Sequence, residues 1–134
     1  RLIMSKIAVD IVTPTQSISK LEVSYLRAPS SDGLFGVKSN HAPSIIQIDV
    51  GEIKIIMDDK TEFLSTSGGF AEISKDNVKL LLETVELSNE IDTNRAAKSL
   101  EKTQKLLEEG KIDIQEAAQK IKKAKNRLKI AEKR

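Results

Sequence analysis

The sequence predicts a β plus α fold: an N-terminal antiparallel β-sandwich over residues 4–87, then a C-terminal antiparallel two-helix hairpin over residues 88–134. Three observations predict it. All three prolines and five of the six glycines lie before residue 70. In that first part, turn signals recur about every ten residues, the rhythm of short strands in a sandwich or barrel. After Asn89 only Gly110 interrupts a stretch rich in Ala, Glu, Lys, Leu and Gln, which are good helix formers.

The first strand is expected over 6–13, where Ile7, Val9 and Ile11 alternate before Pro14 stops the run. Residues 18–27 continue with Leu21, Val23 and Tyr25, and end near Pro29 and the Ser31-Asp32-Gly33 turn. Gly33-Leu34-Phe35-Gly36-Val37-Lys38-Ser39 reads as a plain turn. Residues 44–50 and 52–57 are β-branched runs joined at Gly51. Asp58-Asp59-Lys60 turns the chain into 61–66. Strands at 69–74 and 78–83 follow, separated by Lys75-Asp76-Asn77.

In the helical part, 92–109 places Ala96, Leu100, Thr103 and Leu107 on one stripe, with Asp92 as N-cap and Gly110 as terminator. Asp113 caps the second helix, with Glu116 three residues on to complete a capping box. Ile114, Ala117, Ile121, Ala124, Leu128 and Ala131 form an a/d seam. A short break between two amphipathic helices implies an antiparallel pair. The seam is rich in alanine. Each CH₂-sized unit contributes only about 0.8 kcal/mol, so the pair is expected to be marginal and easily recaptured by a partner.

Composition narrows the function. Cys is absent and aromatics are few, which removes disulfide and thiolate chemistry and fits a reducing compartment. No apolar run is long enough to span a bilayer. Met4 reads as a natural start with Arg1-Leu2-Ile3 extraneous, and no signal core is expected. The charge is asymmetric. Residues 1–88 carry 9 basic and 12 acidic side chains, whereas 89–134 carry 13 and 8. Residues 120–134 have 8 basic residues against Glu132. Such a block seeks an anionic partner.

Catalytic motifs fail on spacing. The segment 33–39 lacks the adjacent Gly-Lys-Ser/Thr of a phosphate loop. Ser67-Gly68-Gly69-Phe70 lacks the form of a nucleophile elbow and reads as a tight β connection. The lone His41 has no Cys or carboxylate cluster beside it, so it reads as a loop histidine bonded to backbone. Asp58 and Asp59 read as solvated turn formers. An autonomous NTPase is therefore disfavoured.

The informative constellation starts at Ile91-Asp92-Thr93-Asn94-Arg95-Ala96. Arg95 sits in a first helical turn, where cations are disfavoured. Folding the hairpin about residue 111 brings Arg95 level with Arg127, each 16 positions away. Lys123 lies one turn from Arg127, and Lys102 two turns from Arg95. Two readings stay open on these residues alone: a polyphosphate site beside a helix start, or a solvated basic face. A nucleic-acid-binding module using the basic tail is the alternative function, weakened by the lack of stacking aromatics.

Asn40-His41-Ala42-Pro43, Ser67-Gly68-Gly69-Phe70-Ala71-Glu72 and Ile91-Asp92-x-x-Arg95-Ala96 occur in the order found in epsilon subunits of bacterial F-type ATP synthases, which the chain resembles from Ser5 to the C-terminus. The resemblance implies a non-catalytic central-stalk subunit of a proton-translocating rotary ATP synthase, peripheral at the cytoplasmic face of the bacterial plasma membrane. It implies partners: the gamma subunit, the c-ring, and acidic beta loops of the alpha/beta catalytic hexamer. It implies a hairpin with two states. One is folded on the sandwich, and the other is extended so as to block ATP hydrolysis. ATP acts as a regulatory ligand of the folded state, with no metal expected. Carried over by motif, Glu86, Ile91, Asp92, Arg95 and Ala96 surround the nucleotide, with the acids on the adenine or ribose side, and Arg127 joins Arg95 at the phosphates. Lys102 and Lys123 stand where the family's tight ATP binders carry Arg. Lys lacks the bidentate fork, so weaker binding is expected.

Overall fold

The computed structural model describes residues 6–133, so the reading of Met4 as a start lies outside the described residues. Among the described residues, ten strands form two five-stranded sheets packed face to face. They are β1 (Ile7–Val12), β2 (Ser17–Val23), β3 (Tyr25–Ser30), β4 (Gly33–Val37), β5 (Ser44–Ile48), β6 (Gly51–Met57), β7 (Lys60–Thr66), β8 (Gly69–Ile73), β9 (Asn77–Leu82) and β10 (Val85–Leu87). The first sheet runs β2-β1-β9-β8-β5 and the second β10-β7-β6-β3-β4. A single 3₁₀ turn, Ser88–Glu90, leads to α1 (Thr93–Glu108) and α2 (Ile114–Ala131).

The core follows from period-two alternation. Ile7, Val9 and Ile11 of β1 are buried, as are Val78, Leu80 and Leu82 of β9 and Ile53 and Ile55 of β6. Together they form one aliphatic cluster between the sheets. The sheets are antiparallel except at one ladder: β1 pairs with β9 in parallel. That pairing is the parallel exception within the antiparallel sandwich that the sequence predicts. It closes the first sheet by setting the first strand beside a late one.

Three strand expectations change. Residues 18–27 are two strands in different sheets. At Ser24 the chain crosses layers, its N–H donating to the Ile56 carbonyl (2.8 Å) and its hydroxyl to the same oxygen (2.9 Å). Residues 33–37 are a strand, since Gly33–Val37 pairs with β3 along its length, and the turn itself is Ser31-Asp32. The β-branched runs around Gly51 also belong to different sheets.

The hairpin forms for local reasons. The Asp92 carboxylate accepts the Arg95 backbone N–H at 3.0 Å and so caps α1. At the other end Gly110 takes φ 68°, where a Cβ would be strained. The Lys111 N–H reaches the Leu106 carbonyl (2.9 Å) and the Gly110 N–H reaches Leu107 (3.2 Å), the paired bonds of a Schellman stop. Asp113 caps α2 by accepting the Glu116 N–H at 3.1 Å. The return half of the expected capping box is replaced: the Glu116 carboxylate lies 3.3 Å from Lys120.

Candidate functional site

The helices meet along a narrow seam. Ala96 and Thr103 of α1 and Ala117 and Ala124 of α2 are buried in it. Thr103 satisfies its hydroxyl on the Ser99 carbonyl at 2.8 Å. Ile114, expected on the seam, is 74% exposed at the hairpin tip, and Leu107 is 37% exposed. Leu106 takes the inward position on α1 instead. Ile130, outside the expected seam, is fully buried. It packs with Ile91, Ala131 and Phe63 in a small cluster separate from the sandwich core.

A second stripe of α2 faces the sandwich. Asn126 Nδ2 donates to the Gly51 carbonyl (2.9 Å) and to Ser65 Oγ (3.2 Å). Lys122 lies 3.3 Å from Asp49, and Lys133 lies 2.5 Å from Glu52. Arg127 Nε donates to Glu86 Oε1 at 2.6 Å. These side chains meet a row set by strand register, in which Glu86 faces Ser65 and Ser65 faces Glu52. Three tail cations are thus engaged by sandwich carboxylates, so the tail is not a free basic face.

Between α1, α2 and β10 lies a cleft of two adjoining lobes. One, of about 230 Å³, is walled by Glu86, Asp92, Arg95, Ala96, Ser99 and Arg127. The other, of about 250 Å³, is walled by Lys102, Thr103, Lys120, Lys123 and neighbours. Ser99 and Arg127 belong to both walls. Of the eight expected site residues, seven line these lobes. Ile91 is set apart, 4% exposed in the apolar cluster that anchors α2.

Sequence reasoning missed Ser99 and Lys120. Ser99 lies one turn beyond Arg95 on the same face, so extending the Asp92–Arg95 stripe would have found it. Asn126 carried no motif signal. The cleft's chemistry suits an anion: two guanidiniums near the start of α1, three ammonium groups in the other lobe, and two carboxylates confined to the first. Among the described residues no group of three or more His, Cys, Asp or Glu could hold a metal. No described helix is long and apolar enough to cross a membrane. The Ser67 hydroxyl is spent on Thr84 Oγ1 at 2.7 Å, and His41 Nδ1 lies 2.8 Å from the Ala42 carbonyl, as the plain readings of both residues expect.

Residues 6–88 match the family model described as ATP synthase, Delta/Epsilon chain, beta-sandwich domain. The chain is 35% identical over 131 residues to the ATP synthase epsilon chain of Staphylococcus haemolyticus, covering 96% of this chain and 98% of that one. It is 33% identical over 132 residues to the ATP synthase epsilon chain of Staphylococcus aureus, with the same coverage. The fold is similar to a chain in a cryo-EM structure of Euglena gracilis mitochondrial ATP synthase (OSCP/F1/c-ring). There the TM-score is 0.71 at 22% identity, over 98% of this chain and 81% of that one. It is also similar to a chain in the central stalk/c-ring structure of Tetrahymena thermophila mitochondrial ATP synthase. That match has a TM-score of 0.56 at 16% identity, over 81% of this chain and 98% of that one. At these structural identities the likeness concerns the fold. On the family model and the curated relatives, the chain belongs to the family of ATP synthase epsilon chains.

Proposed function

We propose that this chain is a non-catalytic central-stalk subunit of a proton-translocating F-type ATP synthase, coupling gamma to the c-ring. Its hairpin is folded on the sandwich in one state and extended toward the catalytic hexamer in the other, where it inhibits ATP hydrolysis. ATP binds the cleft and favours the folded state.

One observation carries the switch. The cleft is assembled from three pieces at once: Glu86 of β10, Arg95 of α1 and Arg127 of α2 share one wall. Lifting α2 dismantles it. A ligand that needs all three pieces binds only the folded hairpin and stabilises it by RT ln(1 + [L]/Kd), about 2.7 kcal/mol at a hundredfold excess. A ligand indifferent to the two states would shift nothing. What it has to bias is small. The helix seam is alanine-rich, and the grip on the sandwich is one apolar cluster plus half-exposed polar contacts, each exposed pair contributing about 0.2–1 kcal/mol.

Reconstitution with gamma and the catalytic hexamer tests the whole proposal. Deleting residues 89–134 is expected to leave co-purification intact and to relieve inhibition. Loss of co-purification with a folded sandwich would refute the rotor role. Calorimetry with solution scattering on the isolated chain tests the sensor: ATP is expected to release heat and compact the molecule. Silence at millimolar ATP would remove the sensor and spare the rotor role.

A further inference from the structure

We infer that Glu86 is an anion built into the cleft to compete for Arg127, so that it lowers the affinity for phosphate chains and sets the concentration at which they lock the hairpin. This rests on the nucleotide reading above for the place of the phosphates, and adds a role that the reading does not contain.

The cations of the cleft are not equivalent. Lys120 is paired with Glu116 on its own helix at 3.3 Å. The Asp92 carboxylate accepts the backbone N–H of Arg95, and no ion pair engages the Arg95 guanidinium among the described residues. Lys102 and Lys123 likewise have none there. Arg127 alone in this group is held by a carboxylate from outside the hairpin, at 2.6 Å. It is also a wall of both lobes, so a chain of phosphates passing from one lobe to the other meets it. An incoming phosphate finds that guanidinium already partly neutralised, with a carboxylate of its own sign beside it.

The fold sets both partners side by side. Glu86 is fixed in β10 opposite Ser65. Asn126 bonds Ser65 and the Gly51 carbonyl, which pins α2 over the row and drops the next residue, Arg127, onto Glu86. The pair therefore has two opposed effects. It helps hold α2 down when no anion is bound, and it weakens anion binding once the hairpin is down. Removing the charge of Glu86 must separate them.

The test is a titration of the full chain with inorganic tripolyphosphate at low ionic strength, followed by calorimetry. Tripolyphosphate lacks base and sugar, so contacts of Glu86 with a nucleoside do not enter. Glu86→Gln is expected to bind tripolyphosphate about two- to fivefold tighter than the parent, the scale of an exposed charge pair. Glu86→Ser, which also removes the charge, must show the same gain. Glu86→Gln combined with Arg127→Gln must not. Without ligand, the amides of α2 in Glu86→Gln are expected to exchange faster, while the thermal transition of the sandwich stays in place. Unchanged or weaker binding in both single variants overturns the inference. So does absence of tripolyphosphate binding to every protein; if the parent still binds ATP, the nucleotide reading survives that result. If the parent binds neither, both fall.

Discussion

Arg127 Nε lies 2.6 Å from Glu86 Oε1, joining the second helix to the last strand of the sandwich inside the cleft. Both side chains are about one third exposed, 36% and 31%, so screening by water limits what the bond alone contributes to about 0.2–1 kcal/mol. On the proposed function the guanidinium has a larger role as a donor to phosphate, where a charged hydrogen bond is worth about 1.5–3 kcal/mol. Arg127→Gln is therefore expected to weaken ATP binding about tenfold or more. It should speed exchange of α2 amides only about two- to fivefold without ligand. Calorimetry and hydrogen exchange on the same sample separate the two numbers. Equal losses in both would mean that Arg127 acts only as a tether.

The two lobes predict a ranking of cations. Arg95 shares its lobe with Glu86, Asp92 and Arg127 and stands beside the capped start of α1. Lys102 sits in the other lobe as a point charge on an exposed position. A planar fork grips phosphate with two bonds at fixed geometry, which an ammonium cannot match. Arg95→Ala is expected to lower ATP affinity about tenfold, and Lys102→Ala about threefold, on the difference between bidentate and single charged contacts. A competition titration on the two variants decides it. A larger loss from Lys102→Ala would move the phosphates into the wider basic lobe.

What could be read before folding depended on whether a residue's role was local. Asp92, Gly110 and Asp113 do their work within one helical turn, and all three cap or stop helices in the structure as expected. The alternation of Ile7, Val9 and Ile11 likewise marked a buried face without knowledge of its partner. Errors arose where a partner decides. Residues 18–27 are uniform in character, and only the Ile56 carbonyl waiting for Ser24 tells the chain to change sheets. Residues 33–37 hold two glycines and resemble a turn, yet pairing with β3 makes them a strand. On α2, spacing put Ile114 on the seam and left Ile130 off it, although the first faces solvent at the tip and the second fills the gap beside Phe63. The cleft was legible because Arg95 and Arg127 are equidistant from the turn. The Asn126–Ser65 bond that docks α2 on the sandwich was not, since that contact spans 61 residues.

Gly69→Ala is expected to be severely destabilising. A Cβ at Gly69 would sit 2.0 Å from the Leu81 carbonyl oxygen and 2.9 Å from the Leu82 Cα. These are backbone atoms of β9, the strand that pairs with β8 across this point. No rotamer change can relieve such a contact, so the ladder itself must shift. Overpacking of this kind costs at least about 1–3 kcal/mol. Thermal unfolding followed by circular dichroism is expected to show a lowered midpoint or loss of the folded state. Gly33→Ala, where nothing lies within 4 Å of the added carbon, is expected to cost less despite its positive φ, because only backbone strain is added.

Ile130→Ala tests whether the hairpin moves as its own unit. Ile130 is fully buried against Ile91, Ala131 and Phe63, in a cluster distinct from the core between the sheets. Truncating a buried isoleucine costs about 2–5 kcal/mol, and 1.4 kcal/mol is a factor of ten. Exchange of α2 amides is therefore expected to rise roughly 30-fold or more, up to the limit set by complete release. The polar contacts of Lys122, Asn126 and Arg127 are too weak to hold the helix by themselves. The β1, β6 and β9 amides should keep their protection, because their core loses no contact. On the proposed function, in which ATP binds the cleft only when the helix is down, ATP should restore much of the lost protection in α2. A matching loss of protection throughout the sandwich would show that hairpin and sandwich unfold as one body, and a switch built on their separation could not then operate.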